Sequence, residues 1–319
     1  MENTTNFQST AQRFMASIQT RRRNPVKAGT LAAYRSHLNS HILPAIGEKP
    51  LSEVENGTLK AFVAELSSRG LSASTINGMV SLVKQIVASA VDTNGNQLHP
   101  RTWNSDFMDL PVISQRSQTA PVATAKGVQQ AISRAPGQEK ALYALLAGSG
   151  LRIGEALALK VGPDNGQDSY WAPETGTITV RTTRALHAGG IQLTPKTEAG
   201  NRQVDLSPAL NVFLRQNLTS TLTRTFQGLV FRNAHGGPIR FNTLREHAEE
   251  AGIECRFHAF RRFRVTHLRK AGVPEGLVQF WTGHAGESIT DRYDKIGADI
   301  EARREWAQKA GLGFQLEMQ

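Results

Sequence analysis

The sequence predicts a mainly α-helical protein of two domains, with a small antiparallel sheet in the second domain. Apolar residues recur at intervals of three and four through most of the chain, which is the spacing of one helix face. A proline-containing stretch without a clear period, 100–122, follows a helical first part. Short alternating segments of strand character come only after it. The predicted domains are therefore 1–99 and 123–319, joined by a linker at 100–122.

Four amphipathic helices are predicted in the first domain. They lie in the segments STAQRFMASIQ, TLAAYRSHLNSHILPAIG, LSEVENGTLKAFVAELSSRG and STINGMVSLVKQIVASAVD. The second helix is expected to stop at Pro44, and the third at Gly70. So many helices in so short a stretch indicate a compact all-α domain.

The second domain is predicted to be helical around three strands. KALYALLAGSGLRIGEALALK has the pattern of a helix, a Gly-Ser-Gly break and another helix. The segments GTITV, IQLTPK and RQVDLSP alternate in polarity and are separated by turn residues, as expected for a small antiparallel sheet. The segment 161–176 is long for the turn that precedes this sheet. Helices then resume and continue to the end of the chain.

Composition limits the function classes. The chain has 319 residues, of which 39% are hydrophobic, as in a globular protein. No run approaches the ~18 apolar residues that a membrane span needs, and the N-terminus lacks the layout of a signal peptide. Cys255 is the single cysteine, so an intrachain disulfide and a cysteine-based metal cage are excluded. A cytoplasmic location is expected.

The net charge of +10 favours a polyanionic partner, most often nucleic acid. The alternative is a surplus of Lys and Arg that serves solubility. The basic segment RRRN at 21–24 is either a solvated turn or a patch that contacts phosphates. The residues predicted to contact nucleic acid are Arg21, Arg22, Arg23, Lys27 and Arg35.

Four residues that suit phosphate chemistry lie on successive predicted helices near the C-terminus. His258 and Arg261 are three apart and therefore share a helix face. His284 comes at the following helix junction, and Tyr293 lies on a last short helix. Compact packing of these helices would bring the four side chains together.

Earlier in the chain, Arg152 follows the Gly-Ser-Gly break and falls in the first turn of a helix, where anions are favoured. Its planar guanidinium can bind two phosphate oxygens at once. Glu155 lies one turn further and can hold that guanidinium. Lys196 lies in a hairpin-like turn between two predicted strands.

Together these residues would form a cationic pocket suited to a phosphodiester, which gains negative charge as it becomes pentavalent. Ionising a tyrosine at pH 7 costs roughly 4 kcal/mol, which a cationic pocket or a neighbouring histidine can offset. Taken singly, each residue also fits an ordinary role as a helix-end charge, a core histidine, a turn lysine or a packing tyrosine. A zinc site at His258 and His284 is disfavoured because no carboxylate or cysteine lies at ligand spacing. No metal and no other cofactor are expected.

In order and spacing, these motifs resemble the tyrosine recombinases, also called the phage-integrase family. The segments that carry the resemblance are GLRIGEALAL at 150–159, TPKT at 194–197, HAFR at 258–261 and TGH at 282–284. Tyr293 falls nine residues after His284, where the family has its nucleophile. Phe260 and Thr282 stand at packing positions where the family usually has leucine. With the N-terminal helices, the resemblance covers roughly 10–315.

The resemblance implies a C-shaped clamp around duplex DNA, made of a helical core-binding domain and an α+β catalytic domain. It implies contacts to the scissile phosphate from Arg152, His258, Arg261 and His284. Glu155 would support Arg152, and Lys196 would be the general acid for the leaving 5′-oxygen. Attack by Tyr293 would give a 3′-phosphotyrosine and a free 5′-hydroxyl, without metal or ATP.

The resemblance also implies DNA with inverted half-sites and a tetramer on two such sites, in a cytoplasmic, nucleoid-associated setting. No separate arm-binding domain is expected. The C-terminal segment 300–318 carries the apolar residues Ile300, Trp306, Leu312 and Phe314, and it is predicted to dock into a neighbouring protomer. The alternative is packing on its own domain.

Three other functions stay open. A type IB topoisomerase uses similar chemistry as a monomer, but the N-terminal helices and short linker favour a recombinase. A DNA-binding protein that has lost catalysis is disfavoured because all six candidate catalytic residues are present. A basic structural protein would have to produce the ordered spacing by chance.

Overall fold

The computed structural model describes residues 5–23, 25–113, 123–161, 164–184, 191–192, 201–218, 228–253, 256–283 and 296–317. The chain divides into two compact units, Met1–Thr119 and Ala120–Gln319. Each unit has its own hydrophobic core. Among the helices in these ranges, none is long and apolar enough to cross a membrane.

The described part of the first unit is helical. Its α-helices are α1 (Phe7–Gln19), α2 (Ala28–His37), α3 (Leu43–Ile46), α4 (Asn56–Ser68) and α5 (Ala73–Ala88). The Asn6 side chain begins α1 by accepting the Ser9 N–H at 2.9 Å, and Ser72 caps α5 in the same way through Thr75. The apolar faces of these helices bury side chains such as Phe7, Leu59 and Leu82. Apolar positions of the amphipathic pattern in the sequence therefore form the core of this unit.

The helix that was predicted to stop at Pro44 continues through it. A π-helix at Leu38–Ile42 joins α2 to α3 without a break, and Pro44 is the second residue of α3. A proline ordinarily breaks a helix because it lacks an N–H and its ring clashes with the carbonyl four residues earlier. Here that carbonyl lies in the π-helix, whose wider hydrogen-bond spacing, as in the bond from the Leu43 N–H to the Leu38 carbonyl, accommodates the ring. The prediction of a stop at Pro44 was wrong for this reason, and the helix ends at Ile46.

Residues at the start of the predicted linker pack on the first unit. The Asn56 side chain donates to the Thr102 carbonyl and accepts the Asn104 N–H, both at 3.0 Å. Met108 has no exposed surface and belongs to the core of this unit. The packed part of the first unit therefore extends past residue 99, while the roles assigned to 1–99, 100–122 and 123–319 stay predictions.

The second unit surrounds one central helix. Its described α-helices are α6 (Ala125–Arg134), α7 (Glu139–Ser149), α8 (Ile153–Ala156), α9 (Pro208–Asn217), α10 (Phe241–Glu250), α11 (Phe257–Lys270), α12 (Glu275–Thr282) and α13 (Ile300–Ala310). The strands are β1 (Lys160–Val161), β2 (Tyr170–Ala172), β3 (Thr177–Val180), β4 (Thr183–Arg184), β5 (Ile191–Gln192) and β6 (Arg202–Asp205). Helix α7 is buried along its whole length and packs against α6, α9 and α11.

The sheet is small, as predicted, but it is mixed rather than wholly antiparallel. Its strand order is β1-β2-β3-β6, with β1 and β2 parallel and the other pairs antiparallel. Trp171, Ile178 and Val204 lie side by side on three strands and are buried in the core. The segment 161–176, long for a turn, contains β2, a strand that the sequence pattern did not indicate. The predicted middle strand differs as well, because β5 pairs with β4 in a separate ladder.

The C-terminal segment packs on the second unit of the same chain. Arg303 of α13 is buried, and its Nε donates to Asp205 Oδ2 at 2.8 Å. Leu312 is buried in the core, and the ring of Phe314 lies 6.0 Å from that of Phe263. This placement is the alternative that the sequence left open. Docking of the segment into a neighbouring protomer stays a prediction.

Candidate active site

The break after α7 places Arg152 at the start of α8. Gly150 ends α7 in the left-handed conformation, with φ 74° and ψ 15°, which glycine adopts readily. Arg152 is the N-cap residue of α8. Glu155, one turn on, accepts the backbone N–H of Arg152 at 2.8 Å and its guanidinium Nη1, also at 2.8 Å. The carboxylate therefore fixes both the backbone and the side chain of this arginine.

Glu155 is shared with a second arginine from the sheet. Arg202, the first residue of β6, donates Nη1 to Oε1 at 3.2 Å and Nη2 to Oε2 at 2.9 Å. Burial raises the pKa of Glu155, but the hydrogen bonds and charge of Arg202, followed by those of Arg152, outweigh it and hold the pKa below its ordinary value. Glu155 is therefore an ionised, buried carboxylate between two guanidinium groups.

Arg261 joins three distant segments of the chain. It lies on α11 and is 3% exposed. Its Nη1 donates to the Gly150 carbonyl at 2.7 Å, and its Nη2 donates to the Thr282 carbonyl. Burial lowers the pKa of Arg261 to about 10, with the charge of Arg152 as the next cause, so the two guanidiniums lie within electrostatic reach. Arg261 is still charged at neutral pH.

His258 lies one turn before Arg261, near the beginning of α11, and is exposed. Partial burial of its ring, and then the charges of Arg262, Arg261 and Arg152, lower the pKa of His258 below that of an ordinary histidine. The imidazole is therefore neutral near pH 7. A neutral ring can accept a proton at one nitrogen and donate a hydrogen bond from the other.

The end of α12 is held against this cluster by its backbone. Arg202 Nε donates to the Trp281 carbonyl at 2.8 Å, and Arg261 binds the next carbonyl, that of Thr282. Gly283 then ends the helix in the left-handed conformation, with φ 63° and ψ 43°. The chain thus leaves α12 beside the arginine cluster.

Three predicted catalytic residues, Lys196, His284 and Tyr293, lie outside the described residues. The structure does bring Arg152, His258 and Arg261 together. The three guanidiniums of Arg152, Arg202 and Arg261, with the Glu155 carboxylate, carry three positive charges and one negative, a net charge of +2. Such a cluster suits an anion with several oxygens, such as a phosphodiester.

The basic residues predicted to contact nucleic acid lie in the first unit. Arg21, Arg22, Arg23 and Arg35 are exposed, and Lys27 is half-buried at the N-terminal end of α2. These side chains are in position to meet a polyanion. Their contact with DNA stays a prediction.

Sequence reasoning did not identify Arg202. It opens the segment RQVDLSP, which was interpreted only as a strand. The alternation of polar and apolar residues along a strand is the same whether an arginine in it is buried or exposed. Within the described ranges, no group of three or more His, Cys, Asp or Glu side chains lies close enough to hold a metal ion.

The sequence model of the phage integrase family matches residues 123–298, which is more than half of the 319-residue chain. The chain belongs to the phage integrase family. It is accordingly a tyrosine recombinase, an enzyme of site-specific DNA recombination. The arginine cluster described above lies within the matched region.

Relatives and solved structures agree with this assignment. "Tyrosine recombinase XerD" of Chlorobaculum tepidum is 24% identical over 282 residues, which cover 84% of this chain and 86% of that protein. "Tyrosine recombinase XerA" of Pyrococcus furiosus is 27% identical over 243 residues, covering 74% and 75%.

Among solved structures, the Tn1549 transposon integrase in complex with a circular intermediate DNA has a TM-score of 0.63 at 18% identity, covering 93% of this chain and 99% of that one. A lambda integrase dimer bound to a COC′ core site has a TM-score of 0.56 at 15% identity, covering 92% and 98%. These two similarities show the same fold.

Proposed function

We propose that this recombinase cuts and rejoins duplex DNA through a 3′-phosphotyrosine at Tyr293, without metal or ATP. The observation that carries the proposal is the pair of bonds from Arg261 to the carbonyls of Gly150 and Thr282. Through them, the first-arginine segment, the H-x-x-R helix and the segment that leads to His284 meet at one buried guanidinium. This is the arrangement that a phosphate-binding site assembled from separate motifs requires.

The proposed reaction begins with the scissile phosphate on Arg152 and Arg261, whose donors stabilise the charge that develops at the pentavalent phosphorus. The Tyr293 oxygen attacks phosphorus, the bond to the 5′-oxygen breaks, and Lys196 gives a proton to that oxygen. His258, neutral near pH 7, accepts the phenol proton at one ring nitrogen and donates a hydrogen bond to a phosphate oxygen from the other. His284 adds a further donor to the phosphate.

Rejoining reverses these steps, with a 5′-hydroxyl from the partner strand as the attacking group. One phosphoester bond replaces another at each step, so the bond energy is kept in the covalent intermediate. This is why the proposal needs no ATP.

The proposed partner is duplex DNA with inverted half-sites, on which four protomers would exchange strands in pairs. The integrases of Tn1549 and lambda, which share this fold, were solved as DNA complexes, and this supports a duplex partner. The exposed basic residues of the first unit, at 21–23 and Arg35, would bind the backbone of that duplex.

The test is a search for the covalent intermediate. The native protein is mixed with a library of nicked duplexes of random sequence, in which the nick traps cleavage, and SDS-resistant adducts are recovered and sequenced. We expect adducts with one recurrent, inverted-repeat sequence from the native protein and none from Tyr293→Phe, which keeps the ring but has no hydroxyl. Equal adducts from both proteins, or DNA binding without any adduct, would contradict the proposed mechanism.

A further inference from the structure

Arg202 contacts two parts of the arginine cluster, and its three guanidinium nitrogens all donate to protein groups. Its side chain is 1% exposed, whereas that of Arg152 is 33% exposed. Both arginines bind the same carboxylate, that of Glu155, which is 3% exposed. The outer guanidinium can therefore reach a phosphate, whereas each nitrogen of the inner one is held by Glu155 or by the Trp281 carbonyl.

The charges of the three groups explain why the inner arginine matters. A buried carboxylate paired with one guanidinium neutralises it, and a neutral pair attracts a phosphodiester weakly. With Arg202 bound through both Glu155 oxygens, the carboxylate is already compensated from the buried side. The net positive charge of the triad then lies at Arg152, on the exposed side.

The same strand also holds the end of α12. Arg202 Nε binds the Trp281 carbonyl at 2.8 Å, and Asp205, at the other end of β6, accepts the Trp281 Nε1–H at 2.9 Å. Two bonds from one strand thus fix both the backbone and the ring of Trp281. Arg261 binds the following carbonyl, so movement of Trp281 would displace a group that orients Arg261.

We propose that Arg202 is a positioning residue for DNA cleavage. It compensates the Glu155 charge, so that Arg152 presents an uncompensated guanidinium to the scissile phosphate, and it ties the end of α12 to the sheet. This inference rests on the proposed cleavage of a phosphodiester by this site. It assigns a role to a residue that touches neither the DNA nor the reacting atoms.

The experiment measures single-turnover adduct formation on the duplex that the native protein selects. Arg202→Met is expected to cleave on the order of 100-fold more slowly, because a misplacement of about 1 Å at a catalytic group can cost that much rate. Its affinity for the uncleaved duplex should stay within about twofold of native, because Arg202 is buried. The double variant Arg202→Met, Glu155→Gln removes the uncompensated carboxylate as well, and we expect it to cleave faster than Arg202→Met alone.

A faster cleavage rate in the double variant would show that Arg202 acts by compensating the Glu155 charge. If Arg202 only supported the core, a second substitution in that core would not restore activity. Melting temperatures are measured for every variant. Arg202→Lys keeps a charge but lacks the paired geometry, and it should fold and cleave at an intermediate rate. If Arg202→Met does not fold, the cleavage rate of Arg202→Lys tests the inference in its place.

Native-like cleavage by Arg202→Lys and Arg202→Met, or a double variant no faster than Arg202→Met, would overturn the inference. A native protein that binds DNA without forming an adduct would instead refute the proposed function, and the inference with it. The two failures are distinguishable because only the second appears before any change at Arg202.

Discussion

A methyl group added at Gly150 should damage both the stability of the second unit and the chemistry of its site. Gly150 has φ 74°, and a Cβ built there would lie 3.3 Å from Arg264 Cγ. Arg264 is fully buried, so its side chain has little room to withdraw. The Gly150 carbonyl also accepts the 2.7 Å bond from Arg261. Gly272 offers a matched control, because it has the same φ of 74° but nothing within 4 Å of its added Cβ.

The expected magnitudes follow from these two environments. A left-handed non-glycine residue costs about 1–2 kcal/mol, and the stiffer unfolded chain returns about 0.4–1 kcal/mol. Gly272→Ala should therefore lose about 1 kcal/mol of unfolding free energy. Overpacking of a rigid core adds about 1–3 kcal/mol, so Gly150→Ala should lose about 2–4 kcal/mol.

The assay combines thermal unfolding with single-turnover adduct formation. For a unit of this size, 1 kcal/mol corresponds to about 2–4 °C in Tm. Gly272→Ala should fall by about that amount and cleave at the native rate. Gly150→Ala should fall two to four times further and cleave more slowly, because the carbonyl that orients Arg261 has moved. Equal losses of Tm in the two variants, with native cleavage in both, would refute this reasoning.

Three further outcomes are expected. Burial and then the charge of Arg262 lower the pKa of His258, so Arg262→Gln should raise it toward 6.5 in an NMR titration. A hydrogen bond to Glu139 raises the pKa of His247 above 6.5, so this pair stabilises the fold below that pH and loses its contribution as pH rises through the raised pKa. His247→Gln should therefore lower Tm at pH 5.5 more than at pH 8.5. Replacing the arginines at 21–23 by glutamine should weaken DNA binding and reduce the slope of log K against log salt by up to about 3.

Each of these has a control and a contradicting result. Arg69→Gln removes an exposed arginine of the first unit that is paired with Glu65, and its salt slope should stay native. An equal change in slope for both sets would show only a general loss of charge. A His258 pKa unmoved by Arg262→Gln would mean that the charge of Arg262 does not lower it. A pH-independent effect of His247→Gln would exclude the linkage to Glu139.

The helical parts of the fold could be predicted because their information is local. The faces of α4 and α5 repeat apolar residues at helical spacing, and the same residues are buried. The effect of Pro44 was mispredicted because the π-helix before it lets the helix continue, and no local sequence pattern marks a π-helix. The sheet was harder, since β2 is three residues long and is defined by pairing with β3 rather than by its own pattern.

The site was predictable only where identity and spacing carry the information. Arg152, His258 and Arg261 follow from short motifs, and the structure brings them together. Arg202 does not, because its partners Glu155 and Trp281 lie far away in sequence, at 47 and 79 residues. Long-range pairing of this kind depends on the packing of β6 against α12, which no local pattern specifies.

The two departures from the family pattern leave the contacts of Arg261 in place, because those contacts use backbone carbonyls. Phe260, where leucine is usual, is fully buried and stacks on Tyr143 with ring centroids 5.6 Å apart. The Thr282 hydroxyl donates back to the Val278 carbonyl at 2.7 Å, so its polarity is satisfied inside α12. Neither change alters the Thr282 carbonyl that Arg261 binds. A side chain at such a position can vary as long as the helix end stays in place. We therefore expect loss of activity from changes that move a helix end, rather than from changes at Phe260 or Thr282.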